Sequence, residues 1–317
     1  MPVPASRLGG RQVVTLISRR GAGVWTNLPS LSVQRLLSSP QPTSILWVDF
    51  GLRYEMLNHF RIPPALFPER SCLLGLRNAL RTSGLNADDI VTYDRALHWS
   101  SAVSTPSSPE SVENIADPGY SAFIANLAGS NRRIFMVPLQ VPQAVADATA
   151  AQLSVHDIEA TITQVINVVQ PTWIVLTCEG QPEAHLFGEK LGDETVRWCL
   201  DNATVIVSLV RHDSEERFRD GIAIPTILST NPTWRDRLRV VLTRASPPIQ
   251  VSPQFSEVVL GFLPFADFVG ESVSAGRIPL VDILCRDSQG PISAAEREYT
   301  ARLTGISERM FNLQSLS

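Results

Sequence analysis

The stretch from Arg11 to Asn27 has the residue types and spacing of a phosphate-binding loop. An apolar run, Arg11 to Ser18, is followed by a short glycine-bearing turn and then by a helix that we expect to begin near Leu28. Pro29 suits the first turn of that helix, where no backbone donor is needed. Loop amides and a helix N-terminus can together face an anion. We therefore expect a strand, a loop and a helix arranged around a phosphate-sized space.

The chemistry of this loop is altered where charge is needed. A working loop of this type places Gly-Lys before Ser or Thr, and the lysine contacts the β- and γ-phosphates. Here Val24 and Trp25 precede Thr26, and the uncharged indole of Trp25 would fill the space that a phosphate needs. The single lysine of the chain is Lys190, far from the loop. The sequence therefore predicts that the architecture is kept and the phosphate chemistry is impaired.

Composition narrows the class of protein. A length of 317 residues suits one large domain or two small ones, and 44% hydrophobic residues are ordinary for a soluble chain with a sizeable core. The net charge of −4 argues against a strongly basic nucleic-acid surface. We find no membrane-spanning run, no signal peptide and no paired cysteine spacing. These features favour a cytoplasmic protein.

Short apolar runs alternate with helical segments along the chain. This alternation predicts an α/β fold, a doubly wound and mostly parallel sheet of seven or eight strands with helices on both faces. We expect the strands at Val13 and Trp173 to lie near its centre. Ser154 is the predicted N-cap of a helix that runs through Val169. The predicted organisation is an N-terminal tail at 1–10, one domain at 11–306 with a Ser/Pro-rich loop at 100–118, and a C-terminal tail at 307–317.

Ligands of such sheets bind beyond the carboxyl ends of the strands, and Asp49 ends a second apolar run at that edge. Asp49 is either a site residue or a strand-end capping residue. The five histidines have no metal-ligand spacing, so we expect no metal site built on them. No Gly-x-Ser-x-Gly elbow supports a serine hydrolase. Trp25, Trp47 and Trp173 are interpreted as filling volume in the core or the site rather than as a platform for bases.

Five segments occur in the order of one family's motifs. They are Ser18–Asn27, Trp47–Arg53, Thr172–Gly180, Arg239–Arg244, and Gly261–Asp267 followed by Ser274–Pro279. With these segments the chain resembles the MinD/ParA family of deviant P-loop ATPases, in the SIMIBI class, including its CpaE/TadZ pilus-assembly branch. The resemblance covers almost the whole length and implies a P-loop NTPase-like fold.

The resemblance also assigns positions to a nucleotide site, most of them in the loop after the first strand. Arg20 takes the place of the signature lysine that reaches across a dimer, and Thr26 keeps a metal-ligand hydroxyl. Arg244 lies in the motif near the adenine, and Asp49 matches the first strand-end acid. The implied set, which we expect to be degenerate, is Arg20, Gly21, Gly23, Trp25, Thr26, Asn27, Asp49 and Arg244.

The departures from the family fall on the chemistry. Trp25 replaces the phosphate-binding lysine, Gly51 replaces the acid that positions the attacking water, and Leu176 replaces the acid that supports magnesium. Because phosphoryl transfer depends on electrostatic positioning, these replacements predict a pseudo-ATPase with no bound cofactor and no catalytic or metal-ligating residue.

Two functions follow from the resemblance. The first is a non-catalytic positioning or scaffold protein for pilus or secretion machinery, a homodimer with protein partners that recruit it to the inner face of the membrane or to a cell pole. The alternative is an ATPase that uses ATP and magnesium in DNA or cargo partitioning, or in placing the cell-division site. The C-terminal tail lacks the basic apolar helix with which MinD proteins hold a membrane.

Overall fold

Eight strands of one sheet contain the apolar runs of the sequence. The computed structural model describes residues 8–18, 22–51, 54–102, 118–142, 153–179, 192–245, 256–264, 266–288 and 290–311. The strands are β1 (Gln12–Ser18), β2 (Ser44–Asp49), β3 (Val91–Thr92), β4 (Arg133–Pro138), β5 (Trp173–Glu179), β6 (Val205–Arg211), β7 (Leu238–Thr243) and β8 (Val259–Leu263).

The strand order is β3-β4-β2-β5-β1-β6-β7-β8. All pairs are parallel except the short antiparallel pair of β3 with β4. β1 and β5 are adjacent at the centre, where Gln12 pairs with Trp173 and Ser18 with Glu179. The predicted mostly parallel α/β sheet and its central strands are confirmed. Because parallel strands end at a common edge, the segments that follow β1, β2, β5 and β7 lie near one another.

The central strands are buried over most of their length, which explains their continuous apolar runs. Helices cover the sheet and leave these strands little contact with water. The helices are α1 (Val24–Ser38), α2 (Glu55–His59), α3 (Leu73–Thr82), α4 (Tyr93–Ala102), α5 (Pro118–Gly129), α6 (Val155–Val169), α7 (Gly192–Asn202), α8 (Glu215–Ser229), α9 (Pro232–Arg235), α10 (Asp267–Ser274), α11 (Pro279–Asp287) and α12 (Ala294–Phe311). Within the described ranges, no helix combines the length and apolar character needed to cross a bilayer.

Local capping agrees with the sequence in one helix and differs in another. Ser154 is the N-cap of α6, and its hydroxyl accepts a hydrogen bond from the Asp157 amide at 3.1 Å, as predicted. α1, however, begins at Val24 rather than near Leu28, so Pro29 lies inside the helix and not in its first turn. Since proline has no amide hydrogen, the helical bond to the carbonyl four residues earlier is lost at this point.

Two predicted boundaries also differ from the structure. In the segment predicted as a loop at 100–118, α4 continues to Ala102 and α5 begins at Pro118, while residues 103–117 lie outside the described part. The predicted C-terminal tail at 307–317 is helical as far as Phe311, because α12 packs against α1. The Ser307 hydroxyl donates to the Leu31 carbonyl at 3.0 Å, and the Phe311 ring lies edge-on to Trp173.

Candidate functional site

After β1, the described part of the chain continues from Ala22 and leads directly into α1. Gly23 has a φ of 84°, a left-handed conformation that glycine adopts without steric cost. The first turn of α1 carries neither a capping side chain nor an acidic residue. The partial positive charge of this helix end is therefore not offset by its own side chains. Of the predicted site residues, Arg20 and Gly21 lie outside the described residues.

A small cavity lies beside this helix end, between the loop, the end of β7 and α10. Its volume is about 70 Å³, and it brings together four predicted site residues, Gly23, Thr26, Asn27 and Arg244. The remaining lining residues are Ala22, Thr243, Pro264, Ala266, Val269, Gly270 and Val273. Ligand pockets usually measure about 300–1,000 Å³. In this conformation the cavity is thus too small for a nucleotide.

Two hydrogen bonds hold the wall of this cavity. The Asn27 amide nitrogen donates to the Gly23 carbonyl at 2.9 Å, back across the first turn of α1. The Thr243 hydroxyl donates to the Ala22 carbonyl at 3.0 Å, which joins the end of β7 to the loop after β1. Sequence reasoning missed Thr243, although a polar residue that ends a buried strand directly before Arg244 is a visible signal. These bonds fix the loop where it is described.

A cluster of charged residues lies next to the cavity, where β6 and β7 end. Arg244 has a φ of 54° and a half-exposed side chain, and its guanidinium is 3.9 Å from a carboxylate oxygen of Asp213. Arg211 forms a second ion pair with the same carboxylate. The hydrogen bond from Arg211 lowers the pKa of Asp213, and the charges of both arginines act in the same direction. The cluster carries a net positive charge, which suits an anion.

The indole of Trp25 lies in the core and does not line the cavity. Only 7% of the residue is exposed, and its ring packs edge-on against Trp47 at 5.8 Å and Phe60 at 6.4 Å between centroids. Trp47 is itself fixed by a 3.0 Å hydrogen bond from its indole nitrogen to Ser32. The side chain at the phosphate-lysine position thus joins α1 to β2, as the core interpretation of the tryptophans predicts. The indole was expected to fill the space of a phosphate, and the structure places it among these rings instead.

Asp49 is buried at the end of β2, and its carboxylate accepts three hydrogen bonds. The donors are the Thr177 hydroxyl at 2.8 Å, the Gly51 amide at 3.0 Å and the Met56 amide at 3.2 Å, the last in the first turn of α2. Burial raises the pKa of Asp49 to about 6, and the three donors partly offset that rise. This geometry matches the capping alternative that the sequence left open.

The other two substituted positions, Gly51 and Leu176, lie beside the Asp49 carboxylate and inside β5. A Cβ added at Gly51 would lie 3.0 Å from an oxygen of Asp49, so a larger side chain at this position would require a small shift of the Asp49 carboxylate. Leu176 is fully buried in β5, where it pairs with Thr15 and Val48. Among the residues that the structure describes, no three histidine, cysteine, aspartate or glutamate side chains form a group that could hold a metal ion.

Comparison with known proteins identifies the fold. No family model and no curated protein matches the chain. Among solved structures, it is similar to the MinD cell division protein of Aquifex aeolicus (10% identity, TM-score 0.53, 95% of this chain and 97% of that one). It is equally similar to a putative plasmid partition protein of Borrelia burgdorferi bound to AMPPNP (10% identity, TM-score 0.53, 96% of this chain and 99% of that one). A Cyanothece McdA–ATP complex is also similar, with 10% identity and a TM-score of 0.52 over 95% of this chain and 96% of that one. At these identities the likeness establishes a P-loop NTPase fold of the MinD/ParA type.

Proposed function

We propose that this protein is a non-catalytic positioning or scaffold protein built on the MinD/ParA-type fold, and that it acts in the assembly or localisation of pilus or secretion machinery. The observation that supports this most directly is the position of Trp25. The residue that stands in place of the phosphate-binding lysine is part of an aromatic cluster with Trp47 and Phe60. A side chain held in this way contributes to the stability of the fold and offers no charge to a phosphate.

Electrostatics supports the same proposal. Removal of one group that stabilises charge in a transition state typically costs about 100- to 1,000-fold in rate. Three positions that the resemblance assigns to charged groups are here an indole, a glycine and a buried leucine, at Trp25, Gly51 and Leu176. Losses within one site are not additive, so the combined loss is not the product of three such factors. The retained acid, Asp49, is already engaged with three donors.

The proposal includes a homodimer formed by the face that carries Arg20 and the loops at the carboxyl edge of the sheet. Without a γ-phosphate between the subunits, side chains would supply the contact. Partners in the machinery would bring the protein to the membrane or the cell pole. Light scattering tests the dimer, and a monomer at tens of micromolar, or a dimer through the opposite face, would refute this part.

Titration with magnesium and ATP, together with phosphate release, tests the missing catalysis. We expect no binding heat and no phosphate release above a buffer blank, with Thr26→Ala indistinguishable from the unmodified protein. Magnesium-dependent turnover that disappears in Thr26→Ala would refute the proposal. The role in pilus or secretion machinery is tested separately by the neighbouring genes, where pilus motor and secretin genes are expected. A gene for a centromere-binding partner would contradict it.

A second candidate function is ATP-dependent partitioning or division-site placement. It is favoured by the uncapped start of α1 and by the cavity lined by Thr26, Asn27 and Arg244. For this function the cavity must widen severalfold to reach the usual size of a ligand pocket. Saturable binding of ATP with hydrolysis would favour this candidate, whereas binding without hydrolysis would leave a scaffold that nucleotide regulates.

A further inference from the structure

A second groove lies on the opposite side of the described part of the chain from the loop after β1, at the β3 edge of the sheet. It follows the sheet edge formed by β3 and reaches the amino-terminal end of β4, and its volume is about 510 Å³. We call it the edge groove. Ile90 and Phe135 form its apolar floor, and Ala125 and Ala128 of α5 form one wall. The volume falls within the range of about 300–1,000 Å³ that is usual for ligand sites.

The rim of the edge groove carries two acids and two bases. They are Asp88, Asp94, Arg95 and Arg133. Across the described ranges, the side chains of these four residues form no ion pair and no side-chain hydrogen bond. The neighbouring Asp89 differs, since it pairs with Arg70 at 2.6 Å. The rim therefore offers two charges of each sign to a ligand that brings the opposite charges.

Exposure of the rim favours a protein segment over a small molecule. Asp88, Arg95 and Arg133 are exposed, and an ion pair in water contributes only about 0.2–1 kcal/mol. The ion pairs between a small zwitterion and the charged rim would stay hydrated, so such a molecule would bind weakly. A protein segment covers the rim, excludes water and places an apolar side chain on Phe135, so each pair becomes stronger.

The position of β3 adds a second argument. β3 is the last strand on this side of the sheet. Edge strands expose backbone donors and acceptors, and extended peptides add to such edges while their side chains enter adjacent pockets. Thr92 of β3 itself lines the groove, next to Phe135 with which it pairs. An extended segment that pairs with β3 would thus lie beside a side-chain pocket.

We propose that the edge groove binds an extended segment of a partner protein, which places an apolar side chain on Ile90 and Phe135 and flanks it with acidic and basic residues. The acidic residue faces Arg95 or Arg133, and the basic residue faces Asp88 or Asp94. The groove is separate from the loop after β1, so this inference holds whether or not nucleotide binds there.

Selection from a phage-displayed library of random linear peptides against the full chain tests the proposal. We expect enriched peptides that contain an apolar residue between opposite charges, and we expect Ala125→Trp, which fills the groove, to weaken their binding about tenfold or more in fluorescence anisotropy. Ala301→Trp is the matched control, because Ala301 is an exposed alanine of α12 away from the groove. It should bind like the unmodified chain.

A charge exchange provides the second variant. Arg133→Glu should weaken a selected peptide, and a peptide with the facing acid changed to arginine should recover binding, whereas Arg219→Glu on α8 should have no effect. Melting curves confirm that each variant is folded. Equal binding by Ala125→Trp and the unmodified chain, or no enriched peptide, would refute the proposal. A dimer that becomes monomeric in Ala125→Trp would also refute it and would assign the groove to a second copy of this chain.

Discussion

Asp49 links the site to the stability of the fold, and its titration can be predicted. Burial raises the pKa of this carboxyl to about 6, whereas its ordinary value is 3.8. The folded protein therefore holds the proton more tightly than the unfolded chain does. Protonated Asp49 therefore stabilises the folded state, and this contribution is fully present below pH 3.8 and is lost as the pH rises through about 6.

The size of this effect follows from the two pKa values. Their difference corresponds to about 3 kcal/mol, of which about 2 kcal/mol is lost between about pH 4.5 and about pH 7.5. Asp49→Asn removes the titration. Its carbonyl can still accept from Thr177 and Gly51, but its amide would face the Met56 amide, at a cost of about 1–3 kcal/mol. At neutral pH Asp49→Asn also removes a buried negative charge, and this gain in stability nearly cancels the cost of the lost hydrogen bond.

Urea unfolding of the unmodified protein and Asp49→Asn over this pH range provides the assay. We expect the unmodified protein to lose about 2 kcal/mol relative to the variant as the pH rises, with little difference at pH 7.5. Asp49→Ala is the control for the hydrogen bonds, since it leaves three donors without an acceptor and should be several kcal/mol less stable, about 3–5. A difference that stays constant with pH, or a relative stability that increases with pH, would refute the reasoning.

Three further predictions concern the core and the thiols. Trp25→Lys places an ammonium among aromatic rings, so it should lower the free energy of unfolding by at least about 3–5 kcal/mol without creating ATP binding. A melting curve and an ATP titration check this, and gained ATP binding would contradict it. Arg237→Met should lower the free energy of unfolding in urea by about 3 kcal/mol, because the guanidinium donates to three backbone carbonyls. The exposed control Arg219→Met should cost under about 1 kcal/mol, and equal losses would contradict the prediction. Iodoacetamide at neutral pH should modify the partly exposed Cys285 before Cys199, whose thiol pKa burial raises well above its ordinary value; peptide mass spectrometry gives the order, and equal rates would contradict it.

The sheet could be predicted from the sequence because its strands have a strong local signal. The run Val13 to Ile17 is apolar at every position except Thr15, a pattern that arises when helices cover both faces of a strand. Polar residues at strand ends, such as Asp49, then mark the edge where the loops meet. These signals need no knowledge of side-chain direction, which is why the architecture followed from them.

Side-chain direction is what the sequence could not supply. Trp25 occupies a loop position in the motif, but α1 starts one residue earlier and turns the indole towards Trp47. The extension of α12 to Phe311 depends on packing against Trp173, a contact between segments far apart in the chain. The edge groove has no sequence signal, because its walls come from separated segments.

The central position of β1 has a consequence for biosynthesis. Among the strands that the structure describes, β1 is synthesised first. Its neighbours are nevertheless β5 and β6, and Val14 pairs with both Val175 and Val205. Both edges of this apolar strand stay unpaired until the ribosome has made residues more than 150 positions later. Contacts of such long range form slowly, and exposed strands of this kind aggregate. A nascent chain of this protein is therefore exposed to aggregation through its first strand until the centre of the sheet can close.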